Sequence, residues 1–264
     1  MRIHVALTRA ELARVALDGR AAIVIDVLRA TTTVVAACGA GCLGIIPVAD
    51  PEAARAVGAG FPRDAVVLGG ERGGEPIAGF DLGNSPLEYT AERVSGRTII
   101  LTTTNGTSAM KRAGVAAAAA TAAFSNVEAA ADWAVAQGRD VTVLCAGDGG
   151  ALSLEDAVCA GLLVQRMAAR APGVELSDAA VVALRLAEHY RERLDEVRRD
   201  SRWARRLASR GRGADIDACL RLDTTAMVPV FEAGIIVPGS GGRGGLEPTT
   251  AADGAHGPSP EAVR

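Results

Sequence analysis

The sequence predicts a three-layer α/β fold around a largely parallel or mixed sheet, and two observations support this class. Short apolar runs rich in Val, Ile and Leu alternate with Ala-rich segments of helical period. This alternation is typical of strands that helices cover on both faces. Polar and Gly-rich segments come directly after several of the strand-like runs. In such sheets, ligands bind at the carboxyl ends of the strands, so we expect the ligand-binding loops there.

The predicted elements follow this alternation along the chain. Strands are predicted at residues 2–6, 21–27, 42–48, 64–70, 97–103, 114–119 and 140–147. Helices are predicted at residues 30–40, 51–59, 105–112, 126–137 and 154–170. Residues 177–210 follow as a highly charged helical pair, and residues 214–238 return to apolar strand character.

Residues 1–238 are predicted to form one α/β domain, with two small lobes as the alternative. The chain has 264 residues and is 49% hydrophobic, which supplies ample material for a core. Residues 239–264 are dominated by Gly, Pro, Ala and Thr. Such a segment cannot bury enough apolar surface to offset the entropy of ordering, so a disordered C-terminal tail is predicted.

The composition argues against two classes of partner. The formal net charge is -3 and only 3% of residues are aromatic, so neither nucleic-acid binding nor base stacking is expected. No apolar run reaches membrane-spanning length. The five cysteines form an odd, widely spaced set without an export signal, which predicts a reducing, cytoplasmic location. A homodimer is left open.

The first polar segment closes the strand predicted at residues 21–27 and opens the next helix. Asp26 stands at the strand tip, where a carboxylate can hold a divalent cation. Arg29 and the hydroxyls of Thr31 and Thr32 are placed to donate hydrogen bonds to an anion, beside the free N–H groups of a helix start. A plain helix cap is the alternative, because Asp and Thr are common before helices.

The second polar segment is the Gly-rich stretch 69–74, which continues into residues 79–86. Dense glycine permits close approach of the backbone to a ligand, although a flexible surface loop has the same composition. The ionic and amide side chains of this segment exceed what a linker needs. Those with candidate catalytic or substrate-binding roles are Glu71, Arg72, Asn84 and Ser85.

The third polar segment, residues 102–107, reads Thr-Thr-Thr-Asn-Gly-Thr at the end of a strand. A hydroxyl-rich turn that leads into a helix is typical of an anion cradle built from backbone N–H and Thr hydroxyl groups. It is not a P-loop, because the Gly-Lys-Ser/Thr ending is missing, and a tight turn with a helix cap is the alternative. The candidate substrate-binding residues are Thr104, Asn105, Gly106 and Thr107.

The fourth polar segment opens the helix predicted at residues 154–170. Glu155 and Asp156 fall in its first turn, where the helix dipole favours acids in any protein. Two adjacent carboxylates near Asp26 would also suit Mg²⁺, which prefers oxygen ligands and keeps waters. We therefore predict Asp26, Glu155 and Asp156 as metal ligands.

Together, these segments resemble the 2-phosphosulfolactate phosphatase family. The motifs that carry the resemblance are VIDVLRATTT at 24–33, GGERGG at 69–74, GFDLGNSP at 79–86, TTTNGT at 102–107 and LEDAVCAG at 154–161, with a weaker match, DACLRLDTTAMVP, at 217–229. Their order along the chain is more specific than any one motif. The resemblance implies Mg²⁺-dependent hydrolysis of the phosphate monoester of a small sulfonated hydroxy acid, within coenzyme M biosynthesis.

Three other phosphatase chemistries lack their residues in this sequence. A cysteine phosphatase needs a Cys-x5-Arg motif, and no cysteine here has Arg at that spacing. A haloacid-dehalogenase-type phosphatase needs an Asp-x-Asp motif, and Leu28 replaces the second acid after Asp26. A histidine phosphatase needs an Arg-His-Gly motif, and none of His4, His189 and His256 lies in a matched motif. What remains is a carboxylate-held metal, with arginines and helix N-termini stabilising the phosphoryl charge. The predicted catalytic residues are Asp26, Arg29, Glu71 and Arg72.

Two alternative functions stay open from the sequence. A phosphatase on the same scaffold would serve for a different small phosphorylated acid. A non-catalytic protein that binds a phosphorylated ligand would keep the Thr- and Gly-rich loops but would not need Asp26, Glu71 and Asp156 together. Convergence of these acids on one cleft would favour the enzyme.

Overall fold

The computed structural model describes residues 1–239, in which eleven strands and eleven helices are formed. The strands are Arg2–Ala6 (β1), Ala21–Ile25 (β2), Gly44–Pro47 (β3), Val66–Arg72 (β4), Glu75–Pro76 (β5), Thr98–Thr102 (β6), Ala118–Ala122 (β7), Val141–Cys145 (β8), Glu175–Leu176 (β9), Val228–Glu232 (β10) and Ile235–Gly239 (β11). The helices are Arg9–Arg14 (α1), Ala30–Gly39 (α2), Pro51–Gly58 (α3), Ala91–Val94 (α4), Gly106–Ala113 (α5), Val127–Ala136 (α6), Leu154–Arg170 (α7), Asp178–Tyr190 (α8), Leu194–Asp200 (α9), Arg202–Ala208 (α10) and Gly213–Cys219 (α11). Short 3-10 turns span Pro86–Glu88 and Phe124–Asn126.

The strands pair in one mixed, mostly parallel sheet in the order β5-β4-β6-β3-β11-β10-β7-β2-β8-β1-β9. One parallel group contains β4, β6 and β3, and the other contains β7, β2, β8, β1 and β9. The antiparallel hairpin β10–β11 joins them through one residue pair on each side, Val230 with Ala120 and Ile236 with Ile45. The predicted three-layer α/β class with a largely parallel or mixed sheet is confirmed.

All five side chains of β2 are buried, which explains why its sequence is an unbroken apolar run. Ala21, Ile23 and Ile25 join a core with α6, α7 and α8. Ala22 and Val24, which point to the other face, join a core with α2, α5, β3 and β6. Helices therefore cover both faces of the sheet, and α2 and α5 share one core with strands of both parallel groups.

Side-chain caps mark where some helices begin. Asp50 caps α3 by accepting the backbone N–H of Ala53 at 2.8 Å, with Pro51 at the first helical position. Ser153 caps α7 through the backbone N–H of Asp156 at 3.4 Å. By contrast, the N-cap residues of α2 and α5 make no side-chain cap hydrogen bond. These two helices begin in the polar segments predicted to bind a ligand.

Two predictions of elements in the C-terminal part were wrong. Residues 177–210 form three helices rather than a pair, because the hydroxyl of Ser201 accepts the N–H of Ala204 at 3.0 Å and starts a new helix. Residues 214–219 belong to α11 rather than to a strand. Ile216 and Cys219, three positions apart, are both fully buried, which is a helical spacing and not an alternation.

Two other predictions concern boundaries. The strand predicted at residues 114–119 begins at Ala118, because residues 114–117 form the turn after α5. The predicted tail at residues 239–264 lies outside the described residues, except that Gly239 ends β11. Within the described part of the chain, no helix combines the length and apolar character needed to cross a bilayer.

Candidate active site

Carboxylates gather where β2, β4 and β8 end. Asp26 is 8% exposed, Glu71 is 6% exposed, and Glu155 and Asp156 are each 2% exposed. Acids are rarely buried unless something compensates their charge. Arg29, which is 4% exposed, is a buried cation in the same region. The structure thus brings together the acids that the sequence placed in separate segments.

Backbone contacts hold Asp26 at the start of α2. Its N–H donates to the Thr31 hydroxyl at 3.0 Å, and its carbonyl accepts the Thr31 N–H at 2.9 Å. The carboxylate oxygen Oδ1 accepts the N–H of Ala30 at 3.3 Å. Oδ2 accepts no hydrogen bond from residues 1–239.

Burial and nearby negative charges raise the pKa of Asp26 to about 7 from the ordinary value of 3.8. Burial is the largest cause, and the negative charges of Glu71 and Glu155 add to it. The Ala30 N–H and the Arg29 charge act in the opposite direction but do not offset burial. A cation beside Asp26 would offset these effects and favour the ionised carboxylate.

Asp156 accepts backbone hydrogen bonds through both carboxylate oxygens, from the N–H of Val27 at 2.8 Å and from the N–H of Gly147 at 3.1 Å. It therefore joins the loop after β2 to the loop after β8. Burial raises its pKa well above the ordinary range.

Glu155 differs from Asp156, because its buried Oε2 has no hydrogen-bond partner within residues 1–239. In that part of the chain, no three acids, histidines or cysteines are grouped to hold a metal ion.

Arg29 is fixed by a buried acid that the sequence reasoning missed. Its guanidinium donates to Asp215 Oδ2 at 2.6 Å and to the carbonyl of Gly74 at 2.8 Å. The hydroxyl of Ser85 donates to the other oxygen of Asp215, also at 2.6 Å. Asp215 lies just before the weaker motif at 217–229, and this proximity was the signal in the sequence that could have marked it as a site residue.

Glu71 ties two loops of the site together. Its Oε1 accepts the N–H of Thr104 at 2.7 Å. Its Oε2 accepts the Thr104 hydroxyl at 3.0 Å and the N–H of Gly74 at 2.6 Å. Both oxygens are thus engaged between the β4–β5 turn and the β6–α5 turn.

Arg72 makes three hydrogen bonds to protein acceptors. Its Nη1 donates to the carbonyl of Glu71 at 2.7 Å. Its Nη2 donates to the carbonyl of Ala49 at 3.0 Å and to the hydroxyl of Thr102 at 2.8 Å. The planar fork therefore fastens β4 to the neighbouring β6 and to the loop after β3.

Several hydroxyls predicted to contact substrate instead make hydrogen bonds to the backbone of their own loops. The Thr32 hydroxyl donates to the carbonyl of Val27 at 2.8 Å. The Thr107 hydroxyl donates to the carbonyl of Thr103 at 3.0 Å, while its N–H donates to the Thr103 hydroxyl at 3.0 Å. These bonds shape the two helix starts from which backbone groups face the site.

The two predicted amides differ in their surroundings. Asn84 is buried, its carbonyl oxygen accepts the Thr33 hydroxyl at 3.0 Å, and its Oδ1 has no partner within residues 1–239. Asn105 is half-buried and lines a cavity with Arg9 and Ser108. An unpaired buried oxygen of this kind is uncommon in native structures.

The charged C-terminal helices contact two loops of the site. The indole of Trp203 donates to the carbonyl of Leu28 at 2.7 Å. Arg210 donates to the carbonyl of Gly73 and lies 3.5 Å from Glu75. Helix α10 and the residues after it therefore hold both the β2–α2 loop and the β4–β5 turn.

Gly106 lets the start of α5 approach Asp26. A Cβ atom at this position would lie 2.5 Å from the Cβ of Ala30 and 2.7 Å from Asp26 Oδ2, too close for either contact. The N-termini of α2 and α5 therefore meet at Asp26, and Asp156 brings in the start of α7 through Val27. The positive ends of these helix dipoles favour an anion.

Substituting Gly106 by Ala is expected to lower turnover about 10- to 100-fold, because α5 must move away from Asp26 and small misplacements are costly in catalysis. The matched control is Gly114→Ala at the other end of α5, where the added Cβ would meet the Lys111 carbonyl at an ordinary 3.4 Å. Steady-state kinetics on both variants test this. Equal turnover in the two variants would show that the approach of α5 to Asp26 is not needed.

Comparison with known proteins gives a consistent result. The family described as 2-phosphosulpholactate phosphatase matches residues 7–234. A protein of Symbiobacterium thermophilum is 41% identical over 221 residues, covering 84% of this chain and 95% of its own. A protein of Gloeobacter violaceus is 41% identical over 221 residues, covering 83% and 91%. One of Clostridium acetobutylicum is 33% identical over 240 residues, covering 90% and 100%.

All three relatives carry the name "Probable 2-phosphosulfolactate phosphatase". The matched range, residues 7–234, contains every residue of the candidate site, including Asp215, which joins the site only through the fold. The similarity therefore extends over the whole candidate site and is not confined to one motif. The chain belongs to the 2-phosphosulpholactate phosphatase family.

Proposed function

We propose that this protein hydrolyses the phosphate monoester of 2-phosphosulfolactate to sulfolactate and inorganic phosphate, with Mg²⁺ as cofactor. The observation that carries the proposal is the convergence of buried carboxylates and Arg29 on the starts of α2, α5 and α7. Family membership and the names of the relatives support the substrate. The convergence of Asp26, Glu71 and Asp156 favours an enzyme over a protein that only binds a phosphorylated ligand.

The residues present fit a magnesium ion held by few protein ligands. In phosphoryl-transfer sites, Mg²⁺ is usually bound by one or two carboxylates, with waters and substrate phosphate completing the octahedron. Asp26 Oδ2 and Glu155 Oε2 are two carboxylate oxygens of the site that accept no hydrogen bond from residues 1–239. We assign these two residues as ligands. Asp156, whose oxygens both accept backbone N–H groups, holds the loops that carry them.

Each remaining residue has a role that follows from its contacts. Arg29, held from behind by Asp215, presents fixed positive charge to the phosphoryl group, and the starts of α2 and α5 add oriented backbone dipoles. When bound, Mg²⁺ would polarise a phosphoryl oxygen and lower the pKa of a water molecule. Hydrolysis forms one bond from the water oxygen to phosphorus and breaks the ester P–O bond, while the attacking water loses a proton and the leaving alkoxide gains one. Glu71 and Arg72 keep the surrounding loops in place.

The substrate contacts stay proposals. Asn84 is the first candidate, because its side-chain NH2 group can donate to an oxygen of the acid, whereas its unpaired buried Oδ1 can only accept. The other substrate-binding residues that we propose are Thr31, Thr32, Ser85, Thr104, Asn105, Gly106 and Thr107. The Thr and Ser hydroxyls in this set act mainly by holding the loops in place. Gly106 acts by leaving room for α5 to approach Asp26.

A phosphate-release assay tests the proposed function. The substrates are 2-phosphosulfolactate and a panel of other phosphorylated three-carbon acids, each with Mg²⁺ and with EDTA. We expect the highest kcat/KM for 2-phosphosulfolactate and loss of phosphate release in EDTA. A higher kcat/KM for another acid would assign a different substrate. Absence of release from every compound would contradict the phosphatase assignment.

Two further predictions remain proposals. All five cysteines are free and buried, which supports the cytoplasmic location predicted from their number and spacing. Cys38 and Cys42, whose spacing resembles half of a metal site, lie in the core between the sheet and α2. The homodimer stays a prediction.

A further inference from the structure

A second pocket, of about 260 Å³, lies along one face of α2. Thr32, Val35, Ala36 and Gly39 line it from the helix, at spacings that place them on one face. The opposite walls are the 3-10 turn at residues 86–88, the end of α11 and the loop that follows it. Within the described part of the chain, no carboxylate lines this pocket.

The walls of the pocket are fixed by hydrogen bonds rather than by loose loops. The N–H of Thr225 donates to the carbonyl of Ser125 at 3.0 Å, and the N–H of Asp223 donates to the carbonyl of Phe124 at 2.9 Å. The Asp223 carboxylate in turn accepts the N–H of Glu128 at 2.8 Å. The loop after α11 is thereby docked on the start of α6, and the pocket is preformed, as ligand sites usually are.

One buried polar group of the pocket lacks a protein partner within residues 1–239. Ser125 is 7% exposed, and its buried Oγ makes no hydrogen bond within residues 1–239. Arg221 lies at the mouth with an exposed side chain, and the hydroxyl residues Thr224 and Thr225 stand beside it. A buried hydroxyl without a partner is uncommon in native structures and points to a missing ligand atom. The positive charge and the hydroxyls together suit an anion.

We propose that this pocket binds a small organic anion, namely a carboxylate or sulfonate with a short aliphatic body. The guanidinium of Arg221 pairs with the charged head group, whose remaining oxygens accept hydrogen bonds from Ser125 and the threonines. The aliphatic part packs against Val35 and Leu87, which line the same pocket. The volume equals roughly nine water-sized groups, which corresponds to an acid of about four or five carbons.

This site adjoins the candidate active site and shares Thr32 with it, whereas its other lining residues lie outside that site. Thr32 and Ala218, which line the pocket, lie one helical turn after Arg29 and Asp215. Asp26 and the other carboxylates do not line it. The proposal therefore does not rest on the phosphatase activity, and a binding measurement tests it independently.

The test titrates the full-length protein with 1-butanesulfonate, with butyrate and with neutral 1-butanol. Binding is followed through the methyl NMR signals of Val35 and Leu87. Arg221→Gln removes the charge, whereas Gly39→Leu fills the pocket, because a Cβ at Gly39 would meet no atom within 4 Å. Arg14→Gln, in the last turn of α1, is the matched loss of an exposed arginine elsewhere.

Both anions are expected to bind the wild type, and the tighter of the two identifies the preferred head group. Arg221→Gln should weaken binding about tenfold, as is typical for a lost hydrogen bond to a charged group. Gly39→Leu should abolish it, and Arg14→Gln should leave it unchanged. The proposal is overturned if neither anion binds, if both pocket variants bind normally, or if 1-butanol binds as tightly as the anions.

Discussion

Substituting Asp26 by Asn is expected to lower turnover about 100- to 1000-fold and, in the absence of metal, to stabilise the folded protein at neutral pH. The loss of turnover follows because Asp26 supplies the free carboxylate oxygen at the point where α2 and α5 begin. Stabilisation of transition-state charge is typically the largest catalytic contribution of such a site. An amide keeps the shape of the side chain and removes its charge.

The gain in stability follows from the raised pKa of Asp26. Its pKa is about 7 in the folded protein, against an ordinary value of 3.8. Between these values, the folded state binds more protons than the unfolded state, so stability falls as pH rises from about 4 to about 7. The amide of the Asp26→Asn variant does not titrate and removes this dependence. Urea unfolding in EDTA should show the variant to be more stable above pH 7, by at most about 4 kcal/mol, with the difference vanishing near pH 4.

The response to Mg²⁺ should separate the two proteins further. A ligand that binds only the folded state stabilises it by about 2.7 kcal/mol at a concentration 100-fold above Kd. Wild type should therefore gain stability with Mg²⁺, while Asp26→Asn should gain little. Asp195→Asn, an exposed acid in the first turn of α9, is the matched control and should behave as wild type. If Asp26→Asn keeps its turnover and its Mg²⁺ response, the metal centre does not lie at the end of β2.

The sequence was sufficient to predict the strands that carry the site because their signals are local. The run at Ala21–Ile25 is apolar at every position, and Asp26 follows it directly. Parallel strands place their carboxyl ends at a common edge, so Asp26, Glu155 and Asp156 were expected near each other. The position of the hairpin β10–β11 between the two parallel groups was not predicted, because the hairpin joins each group through a single residue pair.

The roles of individual side chains depended on contacts that no local pattern shows. Asp156 and Glu155 are neighbours in the same helical turn, yet Asp156 accepts two backbone N–H groups and Glu155 keeps an unpaired oxygen. A carboxylate that binds a metal and one that binds backbone look the same in sequence. The partner of Arg29, Asp215, is 186 positions away in a helix that was predicted as a strand. Only the packing of α11 against the start of α2 shows this pair.

Substituting Asp215 by Ala is expected to destabilise the protein by about 3–5 kcal/mol, because it leaves the Arg29 guanidinium buried without its acid. The side chains of the pair are only 3% and 7% exposed. Asp215→Asn keeps an acceptor for Arg29 and a polar partner for Ser85, so its cost should be smaller. The matched control is Glu175→Ala, which breaks a surface ion pair whose side chains are 67% and 70% exposed. That change should cost less than about 1 kcal/mol.

A double variant separates the structural role of Asp215 from the chemical role of Arg29. Arg29→Met with Asp215→Leu removes both charges, and replacing a buried ion pair by apolar residues of similar volume is often neutral or stabilising. Urea unfolding should therefore show recovery of most of the stability lost in Asp215→Ala. Phosphate release should not recover, because within residues 1–239 no other buried side chain supplies the positive charge that Arg29 places beside Asp26. A double variant that is both stable and active would show that the pair serves folding alone. An unstable double variant would show that the hydrogen bonds to Gly74 and Ser85, rather than charge compensation, dominate the energetics of this cluster.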